Sequence, residues 1–138
     1  MNNHPIIEIS SDKTRLDIDF IHAFLTNAYW AKGRSKEAVI RTIDHCLCFG
    51  IYLNGQQIGF TRVLTDYVVL GYLMDVFIDE KHRGKGYSKR LLKAIFNDPA
   101  LVCIENWTLK TGDAHGLYEQ FGFKVITDTE KWMTRKRL

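Results

Sequence analysis

A chain of 138 residues with 46% apolar and 25% charged side chains has the size and balance of one soluble globular domain, spanning residues 1–138. Its net charge of +3 is too mild for the basic stripe of a nucleic-acid binder, and the short Arg135-Lys-Arg137 cluster reads as a solvated tail. No apolar run approaches the ~20 residues of a membrane span, and Met1-Asn-Asn-His-Pro5 lacks the charged-then-apolar start of a signal peptide, so no membrane contact and a cytoplasmic location are expected.

In chain order, Pro5 to Ile9 reads as a short strand. Leu16, Phe20, Ile21, Phe24, Leu25 and Ala28 then recur at helical spacing. The segment Tyr29-Trp-Ala-Lys-Gly-Arg34 interrupts that helix, and Ser35 is placed to cap a second one carrying Val39, Ile40 and Ile43. Leu47 to Leu53 and Gln57 to Thr65 are strand-like and flank Asn54-Gly55, a pair suited to the positive φ angles of a tight hairpin. Cys46, Cys48 and Cys103 sit in apolar runs without metal-ligand spacing, so a reduced protein with buried thiols and no metal is expected.

Leu70 to Ile78 is a nearly all-apolar strand. An amphipathic helix follows, with Tyr87, Leu91, Leu92, Ile95 and Phe96 inward, and Asn97-Asp-Pro99 ends it. Leu101 to Leu109 reads as another strand and Ala114 to Phe121 as a short helix, with Gly122 where a left-handed residue ends it. Val125 to Thr127 and Trp132 to Arg135 are read as a closing hairpin. Hairpins combined with a strand–helix–strand crossover predict an α+β fold with a mixed sheet.

The segment between the apolar strand and the amphipathic helix, Asp79-Glu-Lys-His-Arg-Gly-Lys-Gly-Tyr-Ser88, concentrates the chemistry. Closely spaced glycines let the backbone curl at a helix start, where unpaired N–H groups and the helix dipole attract anions. Lys81, Arg83, Lys85, Lys89 and Arg90 surround the turn with positive charge. A phosphate-bearing ligand is the expectation, with backbone N–H groups of Gly84, Lys85, Gly86, Tyr87 and Ser88 converging on it.

Two blocks then combine: Val76-Phe-Ile-Asp-Glu-Lys-His-Arg-Gly-Lys-Gly-Tyr-Ser-Lys-Arg-Leu-Leu92 and Thr111-Gly-Asp-Ala-His-Gly-Leu-Tyr-Glu-Gln-Phe-Gly-Phe123. Together they resemble the acyl-CoA-binding signatures of the GNAT superfamily of N-acetyltransferases. The resemblance implies a mostly antiparallel central sheet flanked by about four helices, acetyl-CoA as co-substrate, and acetyl transfer to a primary amine. The acceptor could be a small molecule or a protein amine, and many relatives pair as homodimers. The family's loop pattern falls on Arg83, Gly86 and Ser88. Val76, Phe77 and Ile78 are implied as main-chain contacts of the pantetheine arm, with the N–H of Val76 or Phe77 polarising the thioester carbonyl. Thr111 stands where the family often has Asn and is carried over as a cofactor contact.

Tyr118 is implied as the general acid that protonates the departing thiolate; a phenol of pKa ~10 is protonated at neutral pH. It is also placed to pack beside Leu117 and Phe121. Asp75 stands in an apolar strand, where burial is expected to raise its pKa into the range of a general base. A structural carboxylate, or a water chain that makes a dedicated base unnecessary, stays open. Acceptor recognition is assigned to Tyr29, Trp30, Arg34 and Arg62: Trp30 as a flat wall or a loop anchor, Arg34 or Arg62 as a fork for a substrate carboxylate. An acyl-CoA-binding sensory or regulatory module with little activity is the alternative reading.

Overall fold

The computed structural model describes residues 4–137. Its elements are β1 (Ile7–Ser10), α1 (Ile18–Leu25), α2 (Lys36–Asp44), β2 (Leu47–Leu53), β3 (Gln56–Thr65), β4 (Leu70–Ile78), α3 (Tyr87–Phe96), β5 (Asn106–Thr108) and α4 (His115–Glu119). They build one five-stranded sheet in the order β1-β2-β3-β4-β5. The first three pairs are antiparallel and β4–β5 is parallel, giving the expected α+β fold with four helices.

Local chemistry sets most boundaries. The Asp17 carboxylate accepts from the Phe20 N–H at 3.0 Å to start α1, and the Ser35 hydroxyl accepts from the Ala38 N–H at 3.1 Å to start α2. Asn54 and Gly55 hold φ of 49° and 84° in the β2–β3 turn. Successive strand residues point to opposite faces, so Cys48, Phe60 and Phe77 meet Ile21, Leu25, Val39 and Ile43 of α1 and α2. Phe49, Ile51, Val63 and Leu73 instead pack with Leu91, Leu92 and Ile95 of α3 and with Tyr118 of α4.

The C-terminal third departs from the periodicity. Leu101 to Leu109 yields only three strand residues, because the Asp98 carbonyl accepts from the Leu101 and Val102 N–H groups and keeps the chain turning. No hairpin closes the fold among the described residues. A 3-10 turn, Thr129–Lys131, stands where it was expected, and Val125, Trp132 and Met133 are exposed. The first strand starts at Ile7 rather than Pro5, and α1 ends at Leu25.

Two irregularities of β4 shape the functional end. Its pairing with β5 stops at Tyr72–Thr108, so β4 runs on to Ile78 while β5 leaves, and the two part in a V. On the other edge, Phe60 pairs with Phe77 and Arg62 with Met74, which sets Asp75 and Val76 together opposite Thr61. That bulge places Asp75 at φ 55°, a left-handed conformation that aspartate tolerates better than most side chains.

Candidate active site

The V between β4 and β5 opens into a cavity of about 380 Å³. Leu73 to Val76 form one wall and Leu109 to Ala114 the other; Tyr118 projects from α4, and Tyr29, Trp30 and Arg34 come from the α1–α2 loop. The structure thus brings Tyr29, Trp30, Arg34, Arg62, Asp75, Val76, Thr111 and Tyr118 to one cavity. Phe77 and Ile78 turn their side chains into the core, with Phe77 stacked on Phe24 at 3.8 Å, so only their main chain can meet a ligand.

Asp75 is the hub. Its carboxylate accepts from Trp30 Nε1 at 2.8 Å, Arg34 Nη1 at 2.7 Å and Arg62 Nε at 2.6 Å. The residue is only 6% exposed. Burial alone pushes its carboxyl up, but the bond and charge of Arg62, the charge of Arg34 and the Trp30 bond outweigh it and hold the carboxyl below the usual range. The expected upward shift is therefore corrected. A carboxylate ion-paired to two guanidiniums is a poor proton acceptor at neutral pH, so Asp75 is cast as a structural hub rather than a base.

The same contacts revise the arginines. Arg62 spends Nε on Asp75 and Nη1 on Cys46 Sγ, 3.4 Å away, so it cannot offer a side-on fork to a substrate. Trp30 serves as wall and anchor together, since its indole N–H ties the loop to the bulge while its ring borders the cavity. Tyr29 is 69% exposed and sits edge-on to Trp30.

Tyr118 is buried within the α3-side core, yet it also lines the cavity. Burial, then the charges of Asp113 and Tyr29, push its phenol up to about 12. It is fully protonated at physiological pH. Thr111 lines the same wall, and its hydroxyl oxygen accepts from the Ala114 N–H at 3.0 Å, which fixes the turn into α4 and leaves the O–H free to donate.

The glycine turn lies at the far end of β4. Gly84 and Gly86 hold φ of 77° and 80°, and a Cβ on either would meet no atom within 4 Å, so the space above the turn is open. Gly86 is the N-cap of α3 without a side-chain cap, which leaves the first N–H groups of a ten-residue helix unsatisfied. Arg83 Nε donates to the Ile78 carbonyl at 3.1 Å, tying the turn to the strand end. Tyr87 is buried and contributes only main chain, whereas Lys85 is exposed and Ser88 half-buried.

Sequence reasoning missed Tyr72, Met74, Lys110 and Asp113 as cavity walls. Asp113 lay inside the second motif block and was the one with a signal to follow. Tyr72 looked like core because its strand is apolar throughout.

The profile of the acetyltransferase (GNAT) domain matches residues 44–125. A crystal structure of a protein belonging to the GNAT family from Xanthomonas campestris pv. campestris is 41% identical, superposes with a TM-score of 0.92, and covers 96% of this chain and 94% of that one. A Clostridium acetobutylicum structure containing acetyl-CoA shares the fold at 14% identity and a TM-score of 0.69, covering 96% of each chain. A candidate acetyltransferase of Gibberella zeae is 30% identical over a stretch that takes in 63% of this chain and 60% of the relative.

Proposed function

The chain belongs to the GNAT family of acetyltransferases, and from that premise we propose that it moves an acetyl group from acetyl-CoA directly to a primary amine, with Tyr118 as general acid. The observation that carries this reading is the V between β4 and β5, where the protonated phenol of Tyr118 and the unpaired stretch of β4 line one open cavity. The main chain from Gly84 to Ser88 would hold the cofactor diphosphate at the start of α3, with Lys85 adding charge. The pantetheine arm would run along the edge of β4 from Ile78 toward Val76. Acetyl-CoA bound to the Clostridium relative supports the assignment of the cofactor.

In the transfer step the amine lone pair attacks the thioester carbon and forms the C–N bond. The N–H of Val76 or Phe77 would steady the oxyanion, a contribution of ~3 kcal/mol for a well-aimed donor. As the C–S bond breaks, the thiolate takes the Tyr118 proton and leaves as free CoA. The attacking nitrogen sheds its proton to water, and water reprotonates the tyrosinate, so the enzyme is restored. With Asp75 locked between arginines, no side-chain base is assigned; the acceptor enters as free amine through the open cavity.

The test is CoA release across a panel of amines, repeated with Tyr118→Phe. Loss of general acid catalysis should lower kcat by roughly 10²- to 10⁴-fold while acetyl-CoA affinity holds. Undiminished kcat would remove Tyr118 from the role. In the wild type, kcat/KM should climb with pH toward the pKa of the acceptor amine, with no falling limb below about pH 10 because the phenol titrates at about 12.

A further inference from the structure

The geometry points to a narrower acceptor: an amine that also bears a carboxylate on an apolar frame, gripped by the side-on fork of Arg34. This deepens the transfer reading and rests on it.

Arg34, Arg62 and Lys110 line the cavity against Asp75 and Asp113, so three positive groups face two negative ones and one positive charge is left over. Asp75 is already shared by both guanidiniums. A polycation would meet that surplus with only Asp113, at the rim, to receive it. A carboxylate would cancel it.

Donor bookkeeping then selects the residue. Arg62 has Nε and Nη1 engaged and keeps one nitrogen. Arg34 has only Nη1 engaged among the described residues, so Nε and Nη2 stay together as the two-pronged edge that matches carboxylate oxygens. Its side chain is 21% exposed, and it lines the cavity. Neither arginine is among the described residues with a buried polar atom lacking a partner, so these spare nitrogens are not sealed in the core.

The bond to Asp75 holds the Arg34 head in the cavity that Tyr118, Trp30 and Tyr72 also line. Those rings suit an apolar frame joining amine to carboxylate. The fork would thereby orient the amine, and much of the selectivity would appear in kcat/KM.

The test compares an aromatic amino acid with its carboxamide and its decarboxylated amine, alongside spermidine and an aminoglycoside, following CoA release. Acetyl-CoA binding is checked by thermal shift for each protein. The amino acid should lead its carboxamide by roughly 10- to 100-fold in kcat/KM, the range of a charge-assisted bidentate contact. That ratio should fall close to one in Arg34→Gln and to an intermediate value in Arg34→Lys, which keeps the charge and loses the fork. Equal turnover of the carboxamide, a preference for the polycations, or a ratio that survives Arg34→Gln would overturn the carboxylate proposal and leave acetyl transfer standing. Failure to acetylate any amine would bring down the transfer reading and this one with it. The wild-type comparison decides even where an Arg34 variant folds poorly.

Discussion

The two ends of β4 are built on different principles. At the Ile78 end, the turn into α3 works through contiguous main chain: two left-handed glycines, an uncapped helix start and a tether from Arg83 to Ile78. At the Asp75 end, side chains from residues 30, 34, 62 and 75 meet through tertiary folding alone. The first end has little to lose from side-chain replacement and much from changed backbone angles. The second stakes its order on one buried carboxylate. On the proposed reading, cofactor capture and acceptor shape should therefore be separable by mutation.

The largest effect expected is at the hub. Asp75→Ala strands two guanidiniums beside an apolar core and puts alanine in the left-handed region, so a loss of about 3 kcal/mol in urea unfolding is predicted. Acetyl-CoA affinity of the folded protein should change little, because the turn is untouched. Parallel losses of both would break the separation. Acid sharpens the point. The native Asp75 carboxyl lies below its unfolded value of ~3.9, so its stabilisation is complete above that value and lost as pH falls through the native one. The stability gap between wild type and Asp75→Asn should thus stay constant from neutral pH to about 5 and close below about 4. A gap that persists at low pH would show that packing, not charge, sets the cost.

Gly86→Val is the reciprocal experiment and the next in size. A β-branched residue at φ 80° costs roughly 1–2 kcal/mol in the left-handed region, although nothing nearby would clash with its Cβ. Relief of that strain would turn the leading N–H groups of α3 aside. Acetyl-CoA affinity is predicted to drop by at least about tenfold, the equivalent of 1.4 kcal/mol, while the Arg34-dependent selectivity among acceptors persists. Retained affinity would move the diphosphate away from this turn.

The same contrast governs what could be read before the fold was known. The turn, β2, β4, α3 and the Ser35 N-cap were legible because their signals are local: periodicity, a glycine pair, a serine three residues ahead of the amide it caps. Asp75 was visible as a charge in an apolar strand, but its partners lie 13, 41 and 45 residues away, and with them the sign of its pKa shift. The brevity of β5 was hidden for a related reason. An apolar run from Leu101 to Leu109 promises a strand, yet the Asp98 carbonyl keeps the chain turning at Leu101 and Val102, and pairing with β4 ends at Tyr72–Thr108. The closing hairpin failed because alternation over three or four residues cannot supply a partner.

The smallest effect expected tests whether Tyr118 belongs electrically to the acceptor end. Asp113 is exposed on the cavity rim, and its charge is the second cause, after burial, of the raised phenol. A phenol near 12 is a reluctant donor to a thiolate whose acid form lies near ~8.5. Asp113→Asn should therefore lower the Tyr118 midpoint in ultraviolet titration and raise kcat by about a few-fold, as Brønsted behaviour requires of a stronger acid. Because Asp113 faces water, added salt should mimic the substitution in the wild type and have less to do in the variant. Acetyl-CoA affinity should hold in both, since the glycine turn lies at the other end of the strand. An unmoved titration would mean that solvent already screens Asp113 and that burial alone sets the phenol; a lowered midpoint without a gain in kcat would place the slow step elsewhere than thiolate protonation.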